Sequence, residues 1–352
     1  MFSKIYENAN KKIKCILDNF SKNETIEKED IIYILNLKEV REREIIFQAS
    51  EIIKNKYTSG YISVKGVIEF TNYCKKNCTY CGIRRENKNI NRYRMSIEEI
   101  IETSKNAAKW GLDTIILQGG EDLFFTDDMM ISIIKQIKKE TKLPVSISIG
   151  ERPLESYRKF KRAGAIRSLL KHEAINKKIF DEVHPDKDYE NRINLLRYMN
   201  ILGYVAGSGN IIGLPKQTIE DIADDIIFMR DEKIKMIGIG PLIPSKNTPL
   251  ENYKIGSADI TLNAYAATRF AIPRVQLPTT TALGTISEEL QFKAFEAGCN
   301  VIMVNITPDI YRKNYNIYDN KRKVEFFETI SKIKNLGFKL SPITEKAIIK
   351  SN

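Results

Sequence analysis

Three cysteines fall within eight residues, Cys74, Cys78 and Cys81, in the stretch CKKNCTYC. Thiolates are soft ligands that favour zinc or an iron–sulfur cluster. A structural zinc takes a closed tetrahedral set of four donors, and the fourth is hard to find. Cys299 precedes the last apolar run, in AGCNVIM, and so belongs at the far end of a strand from the cysteine loop. Cys15 reads as a small buried apolar residue of an N-terminal helix. The only histidines are His172 and His184, and HEAIN has Asn176 where an H-E-x-x-H zinc motif needs its second histidine. Lys75, Lys76, Arg84 and Arg85 beside the thiols argue against a packing role. The leading reading is a cubane cluster with three cysteine-bound irons and a fourth iron open to a small molecule. Zinc is the lesser alternative.

Such a loop needs a scaffold. Residues 1–60 carry apolar residues at helical spacing, as in VREREIIFQASEIIKNKY, until Thr58-Ser59-Gly60 breaks the pattern. Eight short runs follow, most of them rich in Val and Ile: ISVKGVIEFT, TIILQGG, VSISIG, IRSLLKHE, VAGSGNIIG, MIGIGPLIP, VQLPTTTALG and VIMVN. They read as buried parallel strands. Helical stretches lie between them; one opens with the capping box Ser96-Ile97-Glu98-Glu99. Gly111, Gly164, Gly203 and Gly298 each stand between a helical run and a strand, where a helix ends in a left-handed residue. The pattern predicts an α/β fold, a (β/α)8 TIM barrel over residues 61–310. A helical extension (1–60) precedes it, and a C-terminal helical segment (311–352) packs on the barrel. The competing doubly wound sheet wants its glycine-rich loop after the first strand, whereas GSGNIIG comes late. A barrel gathers its chemistry at the C-terminal ends of its strands. There the chain offers the cysteines, Gly119-Gly120-Glu121-Asp122, Ser146, Ser148 and Glu151, Lys171-His172-Glu173, Asn210, Thr280-Thr281 and Asn305.

The 352 residues suffice for one such barrel, with 42% apolar and 29% charged residues and a net charge of +11. Acidic residues are interleaved with the basic ones, which describes a solvated lysine-rich surface better than a nucleic-acid face. No apolar run is long enough to cross a bilayer, and the N-terminus reads as an amphipathic helix rather than a signal peptide. The expectation is a cytoplasmic protein without nucleic-acid or membrane partners. Five cysteines, three of them clustered, fit reduced thiols serving a metal.

The C-x3-C-x2-C spacing, with Tyr80 just before the third cysteine, resembles the radical S-adenosylmethionine (SAM) superfamily. The resemblance implies an enzyme with a [4Fe–4S] cluster whose open iron chelates SAM. Electron transfer from the cluster breaks a sulfonium C–S bond and yields a 5′-deoxyadenosyl radical. It implies further that Gly119, Gly120 and Glu121 form the glycine-rich segment meeting the SAM amino group. Glu173 takes the ribose or amino group, Arg192 the carboxylate and Ile212 the adenine; Ser148 contacts ligand and SAM.

A longer set of segments, among them CGIRRENKNINRYR, LQGGED, LLKHEA, IGIGPLIPSKNTPL and PTTTALGT, is similar to the HydE family of FeFe-hydrogenase maturases over roughly residues 40–315. That resemblance implies a substrate that is a small iron–cyanide–carbonyl complex carrying cysteine. Lys65, Ser146, Arg167, Lys171, Met236, Thr280 and Thr281 would line its pocket. HydG-type and HydF-type maturases and an electron donor would be partners. Lys65, Lys171 and Lys216 depart from the Arg, Arg and Gly expected there, and lysine lacks the bidentate fork of arginine. No cysteine follows Cys299, so a single cluster is expected. The alternatives are a radical SAM mutase or lyase acting on an amino acid, like methylornithine synthase or biotin synthase, and a non-catalytic iron–sulfur scaffold.

Overall fold

The eight apolar runs become eight parallel strands. In the computed structural model, which describes residues 1–186 and 188–351, these are β1 (Tyr61–Thr71), β2 (Thr114–Gly119), β3 (Val145–Ser148), β4 (Ala165–Leu169), β5 (Val205–Ser208), β6 (Met236–Ile237), β7 (Pro278–Thr279) and β8 (Val301–Asn305). Their spatial order is β6-β5-β4-β3-β2-β1-β8-β7. A parallel bridge between Met236 and Gln276, just ahead of β7, spans the remaining gap. The result is a nearly closed (β/α)8 barrel, as the alternation predicts. β1 is buried without alternation from Val64 to Thr71, because one face packs on the barrel interior and the other on helices.

The connections carry the expected punctuation. Helix α5 (Ile97–Ala108) opens with the Ser96–Glu99 capping box, both halves formed. The four glycines between helix and strand all have positive φ. Four helices precede the barrel: α1 (Ser3–Tyr6), α2 (Lys11–Asn23), α3 (Lys28–Leu35) and α4 (Val40–Tyr57). They cover the face of the barrel made by the helices Ile219–Asp231 and Ala258–Ala271. Phe20 meets Phe270 edge-on at 5.4 Å, and Asn263 donates to the carbonyls of Leu35 and Leu37.

Two cysteine expectations divide here. Cys299 is fully buried, and burial pushes its thiol pKa far up. It precedes β8, so the barrel separates it from the loop that follows β1. Cys15 is exposed, contrary to expectation. The inward stripe of α2 is Ile13, Ile16, Leu17 and Phe20, and a residue two places after Ile13 points to the other side. Cys15→Ser should leave the melting temperature unchanged, while the native wild-type protein should react with a maleimide at Cys15 but not at Cys299.

The C-terminal segment is less helical than expected. After the short helix Asp309–Arg312, residues 313–325 carry neither helix nor strand and cross the mouth of the barrel. Then come a helix (Phe326–Asn335), a two-residue strand pairing with the start of β1, and a last helix (Pro342–Ser351). Among the described residues no helix is long and apolar enough to cross a membrane.

Candidate active site

β1 delivers the chain to a loop without regular structure, so side chains must satisfy its backbone. Asn72 donates to the carbonyls of Asn91 and Asn314 and accepts from the Tyr93 N–H. The guanidinium of Arg92 donates to the carbonyls of Ile83 (2.8 Å), Arg84 (2.6 Å) and Asn87 (3.1 Å). Two glycines let neighbouring backbone close on the loop. A Cβ on Gly120 would stand 2.1 Å from the Tyr73 carbonyl oxygen and 2.8 Å from Cys74 Cβ. One on Gly82 would stand 2.2 Å from the carbonyl oxygen of Asn316, in the segment that crosses the mouth. The glycine-rich turn after β2 is therefore where the cysteine loop seats. The Glu121 N–H points at Cys74 Sγ, 3.4 Å away, and the Lys75 N–H donates to the Glu121 carbonyl.

Cys74, Cys78 and Cys81 all line one cavity of about 400 Å³ inside the barrel. Tyr80, Gly119, Gly120, Glu121, Ser148, Glu173 and Arg192 stand in its wall, as do Lys65, Ser146, Arg167, Lys171, Met236, Thr280 and Thr281. Ile212 does not: it is buried outside the cavity wall, and its carbonyl accepts from the Leu242 N–H. Its neighbour Ile211 faces the cavity instead, because successive side chains of an extended pair point to opposite sides.

Near the mouth, charges are paired but not exhausted. Arg192 is buried; its Nε donates to Glu151 Oε1 at 2.7 Å and its Nη1 to the Lys171 carbonyl. Nη2 has no hydrogen-bond partner among the described residues. Burial works against the charge of Arg192, but Glu151, Glu121 and Glu173 outweigh it and hold its pKa above the ordinary value. Lys171 Nζ lies 2.8 Å from Glu173 Oε2. Glu173 itself sits at φ +65°, a strained setting for a non-glycine residue, with its N–H bonded to the Gly209 carbonyl. Tyr80 Oη and His184 Nε2 are 2.9 Å apart.

Deeper down the cavity is cationic. Lys65 Nζ donates to Gln276 Oε1. Arg167 has Nε and Nη1 without hydrogen-bond partners. Burial, then the nearby Arg167 charge, lowers the Lys65 pKa to about 7.

Sequence reasoning missed Glu69, Gln276 and the mouth-crossing residues Tyr315, Tyr318, Lys321 and Arg322, all in the cavity wall. Glu69 accepts from Asn305 Nδ2 at 2.9 Å and pairs with Lys321. A lone acid inside the apolar run VIEF was the available signal for Glu69; nothing local marks Lys321.

A three-thiol group with a non-protein ligand fits these residues. The candidate fourth donors are otherwise engaged: Cys299 lies beyond the barrel, His172 is buried against Ser208 Oγ (2.8 Å) and Asp225 Oδ1 (3.2 Å), and His184 Nε2 is 2.9 Å from Tyr80 Oη. No three His, Cys, Asp or Glu side chains among the described residues are drawn together as a single-metal site. A buried guanidinium nitrogen without a partner costs free energy unless an anion takes it; an amino-acid carboxylate, such as that of SAM, has the right shape.

The radical SAM superfamily is matched over residues 68–229. The [FeFe] hydrogenase maturase subunit HydE of Thermotoga maritima is 44% identical over 278 residues, covering 79% of this chain and 80% of that one. The chain belongs to the HydE family of radical SAM enzymes. It is also 26% identical to the 3-methylornithine synthase of Methanosarcina acetivorans, over 90% of this chain and 91% of that one. Two solved structures share the fold: methylornithine synthase (TM-score 0.85, 22% identity, covering 95% of this chain and 99% of that one) and HydG, described as a maturase of the [FeFe]-hydrogenase (0.80, 20%, covering 96% and 78%).

Radical SAM enzymes carry a [4Fe–4S] cluster and SAM, so membership of the family implies both groups for this chain. Of the three lysine departures from the expected HydE pattern, Lys65 and Lys171 are in the cavity wall. Lys216 is in a surface turn at φ +62°, paired with Glu182. A positive φ is what an expected glycine would serve, so this replacement bears on a turn and not on the cavity.

Proposed function

We propose that this protein acts in assembly of the FeFe-hydrogenase active-site cluster, on a small anionic iron complex of the cyanide–carbonyl–cysteine class. Cys74, Cys78 and Cys81 hold a single [4Fe–4S] cluster. When bound, the cluster and SAM supply a 5′-deoxyadenosyl radical by one-electron reduction. The chain's own residues bind, orient and exclude water. Arg192 takes the SAM carboxylate with its spare nitrogen. Glu173 and the Gly119–Glu121 turn hold the amino and ribose groups, with Tyr80 and Ser148 alongside. Lys65, Arg167, Lys171, Ser146, Met236, Thr280 and Thr281 receive the substrate, and residues 313–325 close the mouth over it. HydG-type and HydF-type maturases supply and accept the iron complex.

The observation that carries the substrate class is the pair of basic side chains, Lys65 and Arg167, within electrostatic reach of each other in the cavity wall, with two Arg167 nitrogens left for a ligand. Those cations favour a substrate of net negative charge over a neutral or net positive one such as a basic amino acid. Deleting the gene from a hydrogenase-producing strain should leave an inactive hydrogenase, restored by the wild-type gene. Full hydrogenase activity in its absence would refute the assignment.

The cationic pocket has a pH signature. Lys65 is protonated below about pH 7 and neutral above it. Anion affinity should rise as pH falls through 7, and drop by up to about tenfold per unit above it. Azide titrated into the cluster-free protein reports this. Lys65→Arg keeps its charge throughout and should flatten the profile between about pH 6 and 9. A flat profile in the wild-type protein would show that Lys65 does not hold the anion.

A further inference from the structure

Cys74 stands on two surfaces at once. It lines the barrel cavity, and with Tyr73, Arg85, Lys88 and Arg92 it also lines a depression on the outer side of the cysteine loop. A group held by the three cysteines is thus separated from solvent on that side by little more than the cysteine loop. Electron transfer falls steeply with distance, so this is where the wall is thinnest for it.

The charge of the wall is one-sided. Residues 73–94 hold seven lysines and arginines against the single acid Glu86. Glu86 and Asp186 both lie beside Arg85 and offset part of that charge. Lys75 and Lys88 are exposed and make no ion pair among the described residues. Next to the depression, the Arg94 guanidinium, held by Asp122 through two hydrogen bonds (2.7 and 3.0 Å), lies 3.7 Å from the centre of the Tyr73 ring and 4.5 Å from that of Phe124. Tyr73, Leu123 and Phe124 are exposed by 36%, 58% and 53%. Rigid aromatics stacked on an arginine, inside a basic rim, have the composition of a protein-binding surface.

Resting on the reading of this protein as a reductively activated enzyme, we infer that the depression outside Cys74 docks a small acidic one-electron carrier protein. The carrier is oxidised by one electron and the cysteine-bound cluster reduced by one, with no bond made or broken. Long-range attraction between the basic rim and an acidic carrier speeds encounter. The Tyr73, Leu123 and Phe124 patch gives the brief complex its contact area, and such electron-transfer encounters are small. The carrier meets the outer face of the cysteine loop, where Cys74 borders both the depression and the cavity.

The test uses the full-length reconstituted protein, with a negatively charged bacterial two-cluster ferredoxin as the probe. Ferredoxin affinity is measured by calorimetry. SAM cleavage is followed as 5′-deoxyadenosine, driven either by reduced ferredoxin or by dithionite. The double variant Lys75→Glu/Lys88→Glu should bind ferredoxin about tenfold more weakly and lose ferredoxin-driven cleavage in proportion. Its dithionite-driven cleavage should be unchanged. Raising salt from about 50 to about 300 mM should weaken wild-type binding in the same direction. Leu123→Ser should weaken binding without changing the salt dependence. Ferredoxin binding equal to wild type in the double variant would overturn the proposal. So would loss of its dithionite-driven cleavage, which would make the lysines supports of the cluster. Absence of dithionite-driven cleavage in the wild-type protein would remove the functional reading itself, a result distinct from either.

Discussion

Cys78→Ala is expected to abolish SAM cleavage while the barrel stays folded. The three thiols share one cavity wall, and a cubane left with two protein ligands is not held in place against exchange with solvent. Changes to residues that merely orient a ligand cost about 10–100-fold, so loss of a ligand should lower the rate by more than about 100-fold. The loop has other anchors that survive the change. Thr79 N–H donates to the Val183 carbonyl, Arg85 N–H to the Lys76 carbonyl, and Arg92 to four further carbonyls. Circular dichroism and the melting temperature of the cluster-free protein should therefore match wild type, while iron content and 5′-deoxyadenosine collapse. Wild-type turnover in the variant would remove Cys78 from the ligand set.

The second large effect is at Arg192. Its Nε is committed to Glu151 and its Nη1 to the Lys171 carbonyl, which leaves Nη2 for a ligand in the cavity. A hydrogen bond to a charged partner is worth about 1.5–3 kcal/mol, so Arg192→Ala should weaken SAM binding by roughly 10–100-fold. The change also removes the close partner of Glu151. Breaking a buried pair costs about 3–5 kcal/mol, but Lys76 stands 3.5 Å from Glu151 Oε2 and offsets part of that loss. Arg192→Lys separates the two effects: it keeps a charge near Glu151, but its single nitrogen cannot span the separately placed acceptors that the planar guanidinium reaches. It should regain most of the stability and little of the affinity. Calorimetry with SAM on reconstituted protein measures the affinity, and unchanged affinity in Arg192→Ala would remove the carboxylate assignment.

Eight Val- and Ile-rich runs separated by helical spacing are a local pattern, so the amino-acid order alone announced the barrel and which strand end each motif occupies. The cysteine spacing is equally local, and it pointed to a radical SAM enzyme, as the relatives bear out. The capping box at Ser96 and the helix-ending glycines belong to the same class, since each is decided by φ, ψ and hydrogen bonds within a few residues. Cys15 was misplaced because a helix buries one stripe, and the order of residues does not say where a partner helix lies. Ile212 was misplaced for a related reason: a one-residue shift in an extended pair exchanges the faces.

Other features depended on closure of the chain on itself. Lys321 lies 252 positions after Glu69 and reaches it only because residues 313–325 cross the mouth. Arg192 was legible as a helix charge near the site, but its unfilled nitrogen is a property of what surrounds it. The deep cationic pocket likewise needed β1 and β4 to bring Lys65 and Arg167 within electrostatic reach of each other. Desolvation and Coulomb coupling are sums over spatial neighbours, most of them remote along the chain. Spacing can name the ligands of a metal group, because they are carried on one short loop. The electrostatics of the cavity around it exist only once eight strands have closed.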